Sequence, residues 1–285
     1  MNTIPIIGFS EPVSCLSHLI AALFAFIGTF FLCHRGRGNS SRIFALAVYS
    51  FSVVFLLSMS GVYHLLDPGG VARVVLRRLD HAGIWVLIAG TFTPIHLILF
   101  RGIWRWGILL FVWTIAITGL VLEVVFFESF PEVISLCLFL GLGWVGGLTG
   151  YKFRNSFRDN SLRFLVGGGV FYSVGAVIDY LNRPVLIVGI VGPHEIFHFF
   201  VIFGCLSHWY FIYRWANHPI ANRIVFHIHV FPSGRYFAKA VGEPISLESD
   251  SLENLKTIIR EKVNQAYHKS IVPTVHLKYF QEEHL

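Results

Sequence analysis

PHEIFHFFVIFGCLSHWYFIYR, residues 193–214, reads as one helix long and apolar enough to cross a bilayer, where about 20 such residues suffice. Its first turn carries H-E-x-x-H as His194-Glu195-Ile196-Phe197-His198, two histidines one helical turn apart. A metal-ligating pair at the mouth of a membrane span frames the rest of the reading.

Six more runs of this kind precede it, at 13–33, 43–66, 81–100, 104–127, 132–151 and 162–182. The breaks between them are polar or basic, as in HRGRGNSSR (34–42) and KFRNSFRD (152–159). Pro131 and Pro193 stand where helices begin, a position that tolerates a missing N–H. The expected fold is an all-α membrane protein: a seven-helix bundle over residues 1–215, followed by a small soluble tail or mini-domain over 216–285. Of 285 residues, 55% are hydrophobic and only 13% charged, more apolar surface than a soluble domain of this length can bury. No cleavable signal peptide is expected, because the first apolar run lacks a basic region before it. The net charge of +6 is read as basic loops fixing topology, not as a nucleic-acid surface. Cys15, Cys33, Cys137 and Cys205 are scattered, with no C-x-x-C pair, and read as free thiols.

In the tail, 246–269 reads as a loop leading into an amphipathic helix with Leu252, Leu255, Ile258, Ile259 and Val263 on one face. RIVFHIHV (223–230) and PTVHLKY (273–279) read as short strands, and His227 and His229 as an ordinary strand face. Arginines and lysines are fewer on the N-terminal side (Arg73, Arg77, Arg78, Arg183) than on the other (among them Arg35, Arg37, Arg42, Arg101, Arg105, Lys152 and Arg154). The positive-inside rule then puts the N-terminus outside and the tail in the cytoplasm. The expected location is the plasma or inner membrane of a bacterium.

Ionisable residues inside spans are costly and so are functional candidates. Even-numbered spans end, and odd-numbered spans begin, on one face of the membrane. Glu11, Ser14, His18, Ser60, His64, Asp80, His81, Glu123, Asp179, His194, Glu195 and His198 all fall at that face; the opposite half offers mainly His96 and His208. Such segregation describes one polar site. Ser60 and His64 share a helix face, as do His194 and His198. Three neutral imidazoles (His64, His194, His198) plus water is the donor set of a catalytic zinc. Asp80 then serves as base to the water and Ser60 as its support, with Glu11, His18 and Glu195 in the surroundings or at the entrance. A network of hydrogen-bonded histidines is the competing reading. Trp104, Trp106, Trp209 and Trp215 read as interfacial anchors, and Gly167–Gly169 as a close helix contact.

At these residues the chain resembles the hemolysin III family and, more distantly, the progestin and adipoQ receptors, which include the adiponectin receptors. The resemblance covers roughly residues 10–214. It rests on EPVSCLSH (11–18), S-x-x-x-H at Ser60–His64, LDHAGIWVLIAGTFTP (79–94) and HEIFH (194–198). It implies a seven-helix bundle with an intramembrane zinc on His64, His194 and His198, and Asp80 and Ser60 at its water. It also implies a membrane-embedded hydrolase, ceramidase-like in the adiponectin-receptor branch, among membrane lipids with a lipid-like substrate. The bacterial branch takes its name from a cytolytic effect. The tail is longer than the resemblance leads one to expect, and the adiponectin-receptor arrangement puts the N-terminus and zinc on the cytoplasmic side, against the charge count. Two other functions fit the same residues. One is a receptor, homeostasis regulator or cytolysin with a structural zinc. The other is an intramembrane zinc metalloprotease using His194, Glu195 and His198, with Asp67 as third ligand.

Overall fold

The computed structural model describes residues 9–218, 220, 223–241, 243, 245–266 and 273–281. Seven apolar spans cross from end to end: α1 (Pro12–Arg35), α2 (Ser40–Leu65), α3 (Val71–Leu99), α4 (Ile103–Val125), the pair α5 (Glu132–Trp144) and α6 (Gly146–Phe157), α7 (Leu162–Leu181) and α8 (Pro193–Trp215). Lipid-facing Leu23, Phe24, Phe51, Leu110 and Val121 are exposed, as expected where hydrocarbon is the solvent. The chain is therefore an integral, multi-pass membrane protein.

Two boundaries differ from the sequence reading. The third span begins at Val71, not at 81, so Arg73, Arg77 and Arg78 ride on its first turns. At 29 residues it is about 44 Å long and projects past the hydrocarbon, where arginines cost little. The fifth span continues to Phe157 but breaks at Val145, in the glycine-rich GLGWVGGLTG (141–150), so Lys152 and Arg154 are helical.

α3 is the most enclosed helix, with 83% of its most apolar window buried against 50% for α2 and less for every other span. Small residues bring α2 and α3 together: a Cβ on Gly90 would lie 2.2 Å from the Ser52 hydroxyl, and one on Gly83 2.8 Å from Leu56. Neither position accepts alanine without displacing the neighbouring helix. This close crossing sets Asp80, one turn before Gly83, beside Ser60, one turn beyond Leu56. α7 and α8 meet as closely. A Cβ on Gly168 would strike His208, so within the glycine run Gly168 makes the close helix contact while Gly169 meets nothing within 4 Å, and Asp179 is delivered to the mouth of α8.

The tail forms β1 (Arg223–Val230), β2 (Tyr236–Ala240), β3 (Ser246–Ser249), α9 (Leu252–Ala266) and β4 (Thr274–Gln281), in a sheet ordered β3-β2-β1-β4. β1 pairs antiparallel with β2 and, through the α9 crossover, parallel with β4. Leu255, Ile259 and Val263 of α9 bury against Ile224, Phe226, Ile228, Ala238 and Ala240, so His227 and His229 lie on the opposite sheet face, against Phe280. Arg42, fully buried on α2, joins this tail to the bundle. Its guanidinium donates to the carbonyls of Gly36, Arg37, Asn217 and His218 and to Glu243 Oε2 at 3.0 Å.

Candidate metal centre

The histidine of α2 comes from a turn with two duties. Ser60 and His64 are four apart, so both face inward and both are buried. On α8 the same spacing puts His194 and His198 on one face, with Pro193 at the first helical position. The three rings converge: His64 Nε2 lies 3.2 Å from His194 Nε2, and His198 Nε2 lies 3.2 Å from it as well. Ligand atoms from all three residues lie within 4.8 Å of one another.

The other ring nitrogens decide what this convergence means. His64 Nδ1 meets Glu11 Oε2, and His194 Nδ1 meets Asp179 Oδ1 at 3.0 Å. An ionised carboxylate only accepts, so each Nδ1 carries the proton and each Nε2 is left with a lone pair. Two lone pairs 3.2 Å apart cannot hydrogen-bond to one another. They can share a cation, and carboxylates behind ligating histidines are the usual way to orient them. An extra proton held among the rings is the other arrangement that satisfies this geometry, and it corresponds to the histidine network. Glu11 and Asp179 stand behind two of the rings, with the guanidinium of Arg73 beyond Glu11.

Arg73 donates to Glu11 Oε1 at 2.7 Å and to the Leu66 carbonyl, and stacks on Tyr63. Burial favours the neutral form of Glu11, but its hydrogen bonds with His64 and Arg73 and the charge of Arg73 outweigh it and hold its pKa at about 2. Glu11 is thus a fixed anion behind His64. Asp80 takes a hydrogen bond from Ser60. Neither Arg77 nor Arg78 forms an ion pair with it among the described residues; both cover Phe127. His18 stacks flat on His198, ring centres 3.8 Å apart, and is buried.

Glu195 is turned away from the cluster. Its Oε2 accepts from the Gly192 N–H at 2.8 Å, a glutamate capping the start of its own helix, and its Oε1 accepts from Ser14 of α1 at 3.1 Å. Asp67 lies outside the cluster and accepts from Ser10. Glu123, reached by His81, Ser135 and the Trp85 indole N–H (2.6 Å), ties α3 to α4 and α5. On the opposite half, His96 bonds Thr149 and the Trp104 carbonyl, and His208 bonds the Leu165 carbonyl.

Sequence reasoning gathered these residues at one face but missed two pairings. It placed Asp179 at that face without a partner, and Glu11 in the surroundings or at the entrance. The available signal was level: Asp179 falls within the last turn of α7, facing the first turn of α8.

Spans, tail and site define a multi-pass membrane protein built around three histidines at one mouth of a helical bundle. A family model described as Haemolysin-III related matches residues 9–209, and the chain belongs to this family. Hemolysin-3 of Bacillus cereus is 30% identical over 196 residues, covering 68% of this chain and 86% of the relative. The Hemolysin-3 homolog of Bacillus subtilis (strain 168) is 27% identical over 196 residues, covering 68% and 88%. Each of these two matches covers about two thirds of this chain.

Proposed function

We propose that this protein is a zinc-dependent hydrolase of a lipid amide or ester, working inside the membrane at His64, His194 and His198. The observation that carries the reading is the opposed pair of Nε2 atoms whose Nδ1 partners are carboxylates. A zinc held by three histidines supplies Lewis acidity and a nucleophile drawn from water near neutral pH. His64 and His194 are held in orientation by Glu11 and Asp179, and His198 by its stack with His18. Asp80, set by the Ser60 hydroxyl, accepts the proton of the attacking water and returns it to the leaving nitrogen or oxygen. The apolar walls of the bundle suit an acyl chain better than a peptide. On the charge count, the site faces away from the cytoplasm.

The protease reading loses ground because Glu195, its general base, is committed to Gly192 and Ser14. The relatives are named hemolysins. Hydrolysis of membrane lipid would itself breach a bilayer, so that name is compatible with lipid chemistry and needs no pore.

The test is zinc content of detergent-purified protein together with turnover of a ceramide and of a phospholipid in vesicles. About one zinc per chain, lost in both His64→Ala and His194→Ala, is expected. Asp80→Ala should keep the metal and lose turnover by about 10²- to 10⁴-fold. Bound zinc with no turnover of any lipid amide or ester would move the protein to the receptor class, with a structural metal. Absence of zinc after reconstitution would reduce the cluster to a histidine network.

A further inference from the structure

Between Asp179 and His194 the chain makes an excursion whose composition is wrong for water. Residues 184–193, PVLIVGIVGP, contain no polar side chain. A loop facing solvent normally carries polar residues, and long exposed apolar runs mark contact with a partner or a membrane. Here the apolar side chains point outward: Leu186 is 65% exposed, Ile187 52% and Val188 80%.

Much of the backbone of the same loop is paired within it. Leu186 N and Ile187 N donate to the Val191 carbonyl, and Ile190 N and Val191 N to the Ile187 carbonyl, each at 2.9–3.1 Å. Gly189 turns the tip with φ +79°, a conformation that other residues rarely adopt. Gly192 N is taken by Glu195, and Pro184 and Pro193 have no N–H to satisfy. Paired amides beneath outward apolar side chains lower the cost of placing a backbone in hydrocarbon.

Position agrees. α7 has 20 residues, about 30 Å, just enough to cross the hydrocarbon, so the loop starts at the interface. Its base is polar, with Arg183 on one side and the Asp179–His194 pair closing it, while its tip is apolar. We infer that residues 184–192 form a membrane-inserted loop whose partner is the bilayer itself, immersed in the acyl region of the leaflet that borders the histidine cluster. The loop is pinned at Asp179 and His194, so the mouth of the site opens towards lipid and not towards bulk water. This inference concerns the surface alone and does not depend on which reaction, if any, the histidines perform.

The experiment places an environment-sensitive fluorophore on Val188→Cys, in full-length protein with Cys33→Ser and Cys137→Ser, reconstituted in phosphatidylcholine vesicles. The same probe on Glu261→Cys, exposed on α9, is the aqueous control. The Val188 probe should emit at shorter wavelength than the control, lose most of its intensity to phospholipids brominated along the acyl chain, and resist iodide in the buffer. Emission like that of the control with iodide quenching would overturn the inference. So would protection that vanishes when the protein is diluted in lipid, since the loop would then be covered by a second copy of the chain.

Discussion

His64 and His194 present Nε2 to each other at 3.2 Å while each commits Nδ1 to a carboxylate, Glu11 for the first and Asp179 for the second. The pair comes from helices far apart in sequence, and each carboxylate from yet another element. Four segments therefore agree on the orientation of two rings, which is a strong constraint on what lies between them.

Asp179→Ala removes the acceptor behind His194 without touching a ligand atom. Loss of such a partner commonly weakens metal binding by about 10- to 100-fold. Competition with a zinc chelator should show that loss, with the helical circular dichroism unchanged. An affinity equal to the unmodified protein would detach Asp179 from the site.

Glu195→Gln separates lipid hydrolase from protease. The carboxylate caps α8 and holds Ser14, so its neutral form should cost about 1 kcal/mol of stability. Turnover of lipid should stay within a few-fold of normal at a temperature where both proteins are folded. Collapse of activity with unaltered melting would favour Glu195 as the base.

Breaking the junction between bundle and tail should be severe from either side. Arg42 and Glu243 are both buried, and removing one partner of such a pair costs about 3–5 kcal/mol. Limited proteolysis of Arg42→Ala should cut after Trp215, releasing the tail, while the histidine end keeps its metal. Glu243→Gln, which keeps an acceptor for the guanidinium, should be milder than Arg42→Ala, which also strips four carbonyls of their donor; a Glu243→Gln variant as resistant as the unmodified protein would argue against the ion pair.

The same junction should weaken in acid. Burial, with Arg101 and Arg42 nearby, lowers the pKa of His218 from 6.5 to about 4. When the tail is released His218 takes up its proton near pH 6.5, so the released state binds more protons below that pH. Attachment is then full above pH 6.5 and loses up to about 3 kcal/mol as the pH falls to about 4. The His218→Phe variant keeps a ring beside Phe157 and Trp215 and should flatten the pH dependence of tail proteolysis in that window. Parallel curves for the two proteins would remove His218 from the effect.

The seven spans were legible because lipid leaves little freedom: each needs about 20 apolar residues, and the polar breaks count them. Alternation of direction then placed Glu11, His18, Ser60, His64, Asp80, His194 and His198 at one mouth without any structure. Where α3 begins was not legible, because Arg73, Arg77 and Arg78 read as a loop when a helix outgrows the hydrocarbon. β2 and β3 were missed for another reason. They are five and four residues long, SLES reads as loop, and only pairing makes strands of them, β2 with β1 and β3 with β2. The carboxylate pairings of Glu11 and Asp179 depend on helix rotation, which hydropathy does not encode.

α8 starts at the histidines and ends, 23 residues later, at the carbonyls that Arg42 grips. One unbroken rod of about 35 Å thus has the histidines at its head and the folded tail at its foot. A single helix links the two ends of the molecule, so any change in the tilt of α8 is shared by the histidines and by the tail.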